Sequence, residues 1–111
     1  MLLSFRNNKL KKLAEQERER VKRLGPVCAK KFQQRVSELL AAKCLKDLRN
    51  HAPARIHELS GDLKGSLSAD LKHPLRLVFQ PRGDPPTRTD GGLDWNAVTE
   101  IEITDIIDTH G

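Results

Sequence analysis

The sequence predicts an α+β fold: a short N-terminal strand, a two-helix hairpin, then an antiparallel sheet of about four strands. Two observations carry this. Apolar residues recur at helical spacing through roughly the first 43 residues, and beyond residue 54 they alternate with polar ones at a period of two. A third observation, "LGP" at residues 24–26, divides the helical half in two.

The opening "LLSF" is short and apolar and reads as a first strand, after which Asn7 and Asn8 offer a helix cap. From Lys9 to Leu24, the residues Leu10, Leu13, Val21 and Leu24 share one helical face, with "EQERER" on the solvent side. Gly25 suits the position after a last helical turn and Pro26 the start of a new helix. That second helix is expected from about Val27 to Lys43, its stripe made by Phe32, Val36, Leu39 and Leu40. "CLKDLRNHAPA" breaks the pattern, and Pro53 closes it.

In the second half, Leu67, Ala69 and Leu71 alternate with Ser66, Ser68, Asp70 and Lys72, and Leu75, Leu77 and Phe79 alternate with Arg76, Val78 and Gln80. "LKGS" and "KHP" mark turns, and "VTEIEITDIID" alternates through Thr99, Ile101 and Ile103 as a last strand. The Pro-, Gly- and Asp-rich stretch "PRGDPPTRTDGGLDWN" reads as a long loop. Helices covering one face of this sheet leave the other as an exposed polar surface carrying His57, Ser68, Asp70 and Arg76.

At 111 residues the chain is expected to be one domain, residues 1–111. Lys+Arg 20 against Asp+Glu 15 give a formal charge of +5, which favours an anionic partner. No run is long and apolar enough to span a membrane, and the order of apolar and charged residues at the N-terminus is the reverse of a secretory signal, so a cytoplasmic protein without a membrane partner is expected. Cys28 and Cys44 stand apart from any CxxC pair or nearby histidine and read as reduced thiols. There is no HExxH spacing, no G-x-S-x-G elbow and no Gly-rich phosphate loop, so no metal or other cofactor is expected.

"RIHELSGDLK" at residues 55–64 gathers Arg55, His57, Asp62 and Lys64, and "DIIDTHG" brings Asp105, Asp108 and His110 to the end of the last strand. Taken singly, His57 reads as a half-buried histidine and Arg76 as a solvated strand residue. Together, His57, Arg76, Asp108 and His110 supply what RNA cleavage without metal requires. A base deprotonates the 2′-hydroxyl, a cation stabilises the crowded phosphorane, and an acid protonates the leaving 5′-oxygen.

The order of these pieces resembles the RelE/ParE toxin superfamily, and within it the HigB-type toxins known as plasmid-maintenance killer proteins. The resemblance runs through "LLSF", two helices, "RIHELSGDLKGSLSADLKHPLRLVFQP" and "EITDIIDTH". It implies a RelE-like fold of microbial-ribonuclease type, the toxin of a type II toxin–antitoxin system, and a ribosome-dependent endoribonuclease cleaving mRNA in the ribosomal A site. The implied partners are the ribosome and mRNA, a helix-turn-helix HigA-like antitoxin and, through that antitoxin, operator DNA. By position, His57, Arg76, Asp108 and His110 match the catalytic residues, with Arg55, Lys64, Lys72, His73 and Arg82 available to RNA. The chain departs from the family pattern at Ser60, where lysine is frequent, at Leu75, where tryptophan is common, and at Thr109, where an aromatic is usual. With no tyrosine present, base stacking would fall to His73 or Trp95. The ParE branch, which poisons DNA gyrase by contact alone, and a non-catalytic toxin-like binding module are the alternatives. Paired histidines, His57 and His110, argue against the gyrase poison, which has no need of them, whereas the missing aromatics leave the binding module open.

Overall fold

The computed structural model describes residues 1–109. Strand β1 (Leu2–Phe5) leads into helix α1 (Asn8–Glu15), whose first turn is capped by Asn7, its Oδ1 accepting from the Leu10 amide at 2.9 Å. Helix α2 (Glu17–Ala41) follows after a single extended residue, Gln16. The expected continuous helix from Lys9 to Leu24 is therefore broken at its midpoint. Buried Arg20 explains how the break is held. Its Nη1 donates to the carbonyls of Leu13 and Ala14, at 3.0 and 3.1 Å, and so satisfies groups that a continuing helix would have bonded itself.

The second break falls where the sequence puts it. Gly25 has φ 77 and ψ 162, a region open in practice only to glycine, and Pro26 follows inside α2. Beyond it Cys28, Ala29, Phe32 and Leu39 are buried, as is Arg35. Two residues placed on apolar stripes by spacing are instead exposed: Val21 and Leu40. Val21 lies beyond the break at Gln16, so the face begun by Leu10 and Leu13 does not carry through to it, and beside Leu40 the inward position is taken by Leu39. At its end the Met1 ammonium donates to the carbonyls of Leu39, Leu40 and Ala42, placing positive charge at the negative helix terminus.

After a 3-10 turn at Leu45–Leu48 come β2 (His57–Glu58), β3 (Leu67–Asp70), β4 (Leu75–Pro81) and β5 (Glu100–Asp108). These four strands are antiparallel to their neighbours, and β1 adds to β5 in parallel, giving one five-stranded mixed sheet in the order β1-β5-β4-β3-β2. Leu10, Leu13, Phe32 and Leu39 from the helices pack with Leu67, Ala69, Leu77, Phe79, Ile101 and Ile103 from the sheet in one apolar cluster. Each leucine, isoleucine or phenylalanine among them contributes about 1.5–3 kcal/mol by leaving water. Both cysteines are free thiols. Among the described residues, no helix is long and apolar enough to cross a membrane.

The second face of the sheet differs from expectation. Ser68 and Val78, which the register pairs, are buried, as is Thr104, whose hydroxyl donates to the Val78 carbonyl at 3.3 Å. The centre of this face is closed. What stays accessible is the end of it, where the β3–β4 turn, the segment before β2 and the end of β5 meet.

Candidate functional site

The β3–β4 hairpin pairs Asp70 with Arg76 across the turn that contains His73. The pairing is an ion pair, Arg76 Nη2 to Asp70 Oδ1 at 2.9 Å, and the same Nη2 donates to the Arg55 carbonyl at 3.1 Å. Arg55 Nε lies 3.5 Å from the other oxygen of Asp70. One carboxylate thus lies between two guanidinium groups. Arg76 and Asp70 are about a fifth to a quarter exposed, while Arg55 stands largely in solvent.

Three successive carbonyls hold the segment before β2 against this pair. Pro53 accepts from Arg35 Nη2 at 2.7 Å, Ala54 from the Asp70 amide at 2.7 Å, and Arg55 from Arg76. Arg35 also donates through Nε to the Asp70 carbonyl at 2.7 Å and through Nη1 to the Glu38 carboxylate at 2.8 Å, whose other oxygen meets the His51 imidazole. Buried Arg35 is therefore the fastener between α2, the end of β3 and the 53–55 segment. Arg55 itself has φ 46, a left-handed conformation that costs a non-glycine residue about 1 kcal/mol or more.

Arg55, Asp70, Leu71, His73, Pro74, Leu75, Arg76 and Thr109 line a cleft of about 360 Å³. Thr109 closes one side of it, donating through both its amide and its hydroxyl to the Pro74 carbonyl at 3.0 and 2.9 Å. The end of β5 is thereby carried to the rim of the cleft.

The expected site residues distribute as follows. His57 is exposed and pairs with Ser68, which puts it on the same face as Asp70 and Arg76, one pleat repeat or about 7 Å along the strand direction. Arg55, Arg76 and His73 are in the cleft, and Lys72 is exposed in the turn beside it. Asp108 stands opposite Leu75 in the β4–β5 ladder, whereas Arg76 stands opposite Ile107, so the alternation of the strand assigns Asp108 and Arg76 to opposite faces. His110 lies outside the described residues. Lys64 lines a different cleft, with Glu58, Ser60 and the loop around Gly91 and Gly92. Arg82 follows the far end of β4, six residues or about 20 Å along the chain from Arg76, so it belongs to another part of the surface. Trp95 is not available for stacking on a base. It is buried, its indole N–H donates to Glu58 at 3.1 Å, and Arg49 covers its ring with the guanidinium carbon 4.5 Å from the centroid.

Sequence reasoning passed over the importance of Asp70 and missed Arg35 altogether. For Asp70 a signal existed: it and Arg76 are equidistant from His73, the middle of the expected "KHP" turn, and such positions face each other in a hairpin. For Arg35 there was none, since its role depends on carbonyls far away in the chain.

Chemically, the cleft offers two guanidinium groups, partly neutralised by one carboxylate, beside a solvent-accessible imidazole on the same face. That arrangement suits an anion with planar, bidentate oxygens. Among the described residues, no group of three or more His, Cys, Asp or Glu side chains is placed to hold a metal. Comparison with protein-family models and with curated proteins finds no match.

Proposed function

We propose that the chain is a HigB-type toxin of a type II toxin–antitoxin system, a metal-independent endoribonuclease that cuts mRNA in the A site of the ribosome. The observation that carries this is the pairing of Arg55 and Arg76 around one cleft, with His57 on the same sheet face. The net charge of +5 adds a long-range pull toward RNA.

In this reading a scissile phosphate sits against the Arg76 guanidinium, which stabilises the charge that grows as the 2′-oxygen attacks phosphorus. His57 and His110 divide the two proton transfers, one removing the 2′-hydroxyl proton and the other protonating the departing 5′-oxygen. The products are a 2′,3′-cyclic phosphate and a 5′-hydroxyl. A helix-turn-helix antitoxin neutralises the toxin and brings it to operator DNA, and the site of action is the cytoplasm, where ribosomes are.

The test is primer extension on a translated transcript, with and without ribosomes, for wild type, Arg76→Ala, His57→Ala and His110→Ala. Cuts that need ribosomes and fall by at least a hundredfold in Arg76→Ala and His110→Ala support the assignment. Growth arrest without cuts, or full cleavage by Arg76→Ala, overturns it.

A further inference from the structure

The Asp70 carboxylate occupies the place an anionic ligand would take between the two arginines. Its Oδ1 lies 2.9 Å from Arg76 Nη2 and its Oδ2 3.5 Å from Arg55 Nε, so two oxygens of one anion span two guanidinium groups. Phosphate oxygens make the same kind of contact with arginine pairs. The protein does not saturate the fork either, because Arg76 Nε is buried without an acceptor among the described residues.

We propose that Asp70 is a built-in competitor for the phosphodiester: it keeps the arginines oriented while the cleft is empty and weakens binding of a nucleic-acid phosphate when one arrives. The inference rests on the reading proposed above and adds to it the control of affinity at the same cleft. Asp70 cannot withdraw with its strand. Its amide is bonded to the Ala54 carbonyl and its carbonyl to Arg35, both at 2.7 Å. Only its side chain can rotate, so its charge stays within a few ångströms of any anion held by Arg76. At that range a unit like charge in a half-solvated cleft opposes binding by a factor on the order of ten. Free RNA is then held weakly, and productive binding depends on contacts made elsewhere.

Asp70→Asn separates charge from geometry, because the amide oxygen still accepts from Arg76 while the negative charge is gone. The probe is a fluorescein-labelled single-stranded DNA hexamer, which lacks the 2′-hydroxyl and so cannot be cut by the proposed chemistry. Its anisotropy is followed at fixed ionic strength for wild type, Asp70→Asn, Arg76→Gln and the double variant, each checked for fold by circular dichroism. Asp70→Asn is expected to bind about ten times more tightly than wild type, and the double variant to lose that gain. Binding by Asp70→Asn that equals or falls below wild type overturns the proposal and makes Asp70 a positioning residue only. A gain that persists in the double variant also overturns it, since the effect then bypasses Arg76. Should Asp70→Asn fail to fold, Asp70→Ser removes the same charge and is read by the same criteria. The experiment is independent of ribosomes, so absence of ribosome-dependent cuts would refute the proposed function while leaving this inference to be judged by affinity alone.

Discussion

Arg35→Met is expected to be the most damaging single substitution outside the apolar core. Arg35 is 4% exposed and its fork meets three acceptors: the Asp70 carbonyl, the Glu38 carboxylate and the Pro53 carbonyl, all within 2.8 Å. Methionine keeps the apolar stem and much of the volume, so the loss isolates the hydrogen bonds. Bonds to a charged group contribute about 1.5–3 kcal/mol each, but their loss here is not additive, because Glu38 is partly exposed and retains His51. The Asp70 and Pro53 carbonyls left without this donor cost about 1–3 kcal/mol each, and with the weakened Glu38 contact the expected loss is about 3–5 kcal/mol. With an unfolding entropy of about 2.1 cal/mol/K per residue, the 111-residue chain loses about 4 °C of melting temperature per kcal/mol, a drop of roughly 13–20 °C. Urea and thermal unfolding, followed by far-UV circular dichroism, measure both quantities. Arg35→Lys should recover less than half, since an ammonium cannot reach three acceptors in one plane. A loss below about 1 kcal/mol in Arg35→Met would refute the reasoning, because the fastener would then carry no net stability.

Ser68→Ala should be neutral or stabilising by up to about 1 kcal/mol, since the hydroxyl is fully buried with no partner among the described residues; a clear destabilisation in urea would mean that the hydroxyl is satisfied. Trp95→Phe should cost about 2 kcal/mol by removing the N–H bond to Glu58 and weakening the Arg49 stack, and an unchanged urea midpoint would count against both contacts. Asp90 accepts from the Gly92 amide and the Arg88 side chain, which lowers its carboxyl below the ordinary aspartate range. Its folded pKa being depressed, the local order it supports is present above the unfolded pKa and lost as pH falls through the folded one. The Gly92 amide shift in an NMR titration should therefore stay constant from neutral pH to about 4 and move only below it, and movement centred above that would contradict the loop geometry.

What could be read from the sequence was what depends on neighbours in the chain. Asn7 as a cap, Gly25 as a break, and the inward positions Leu67, Ala69, Leu77, Phe79, Ile101 and Ile103 follow from capping chemistry, backbone sterics and the two-residue repeat. What could not be read depends on partners distant in sequence. Nothing in "AEQERER" marks Gln16 as the end of a helix, because the guanidinium that makes the break tolerable comes from Arg20 folded back onto Leu13 and Ala14. Val21 fits the stripe of Leu10 and Leu13 only on a helix unbroken at Gln16. The parallel seat of β1 beside β5 needs the whole chain to close on itself, and Ser68 looks solvent-facing by alternation while lying fully buried on the second face.

The candidate cleft is also unusual in what holds it. The apolar core reaches it through Ala54 and Leu71, and the wall formed by residues 53–55 is further fixed by hydrogen bonds from Arg35, the Asp70 amide and Arg76 to three successive carbonyls. The amide of Arg55 is used as well, donating to the His51 carbonyl at 3.2 Å. Such a wall has little freedom to close on a ligand, and it explains how Arg55 is kept in a left-handed conformation that isolated arginine would leave. Because the backbone is committed, selectivity at this site rests on side-chain charge: the guanidinium groups of Arg55 and Arg76 against the carboxylate of Asp70. Changes of charge at those three positions should therefore shift anion affinity strongly, whereas a charge-conserving change such as Leu75→Met should leave it nearly unaltered. Equal effects from the two kinds of substitution would mean that the cleft recognises shape after all.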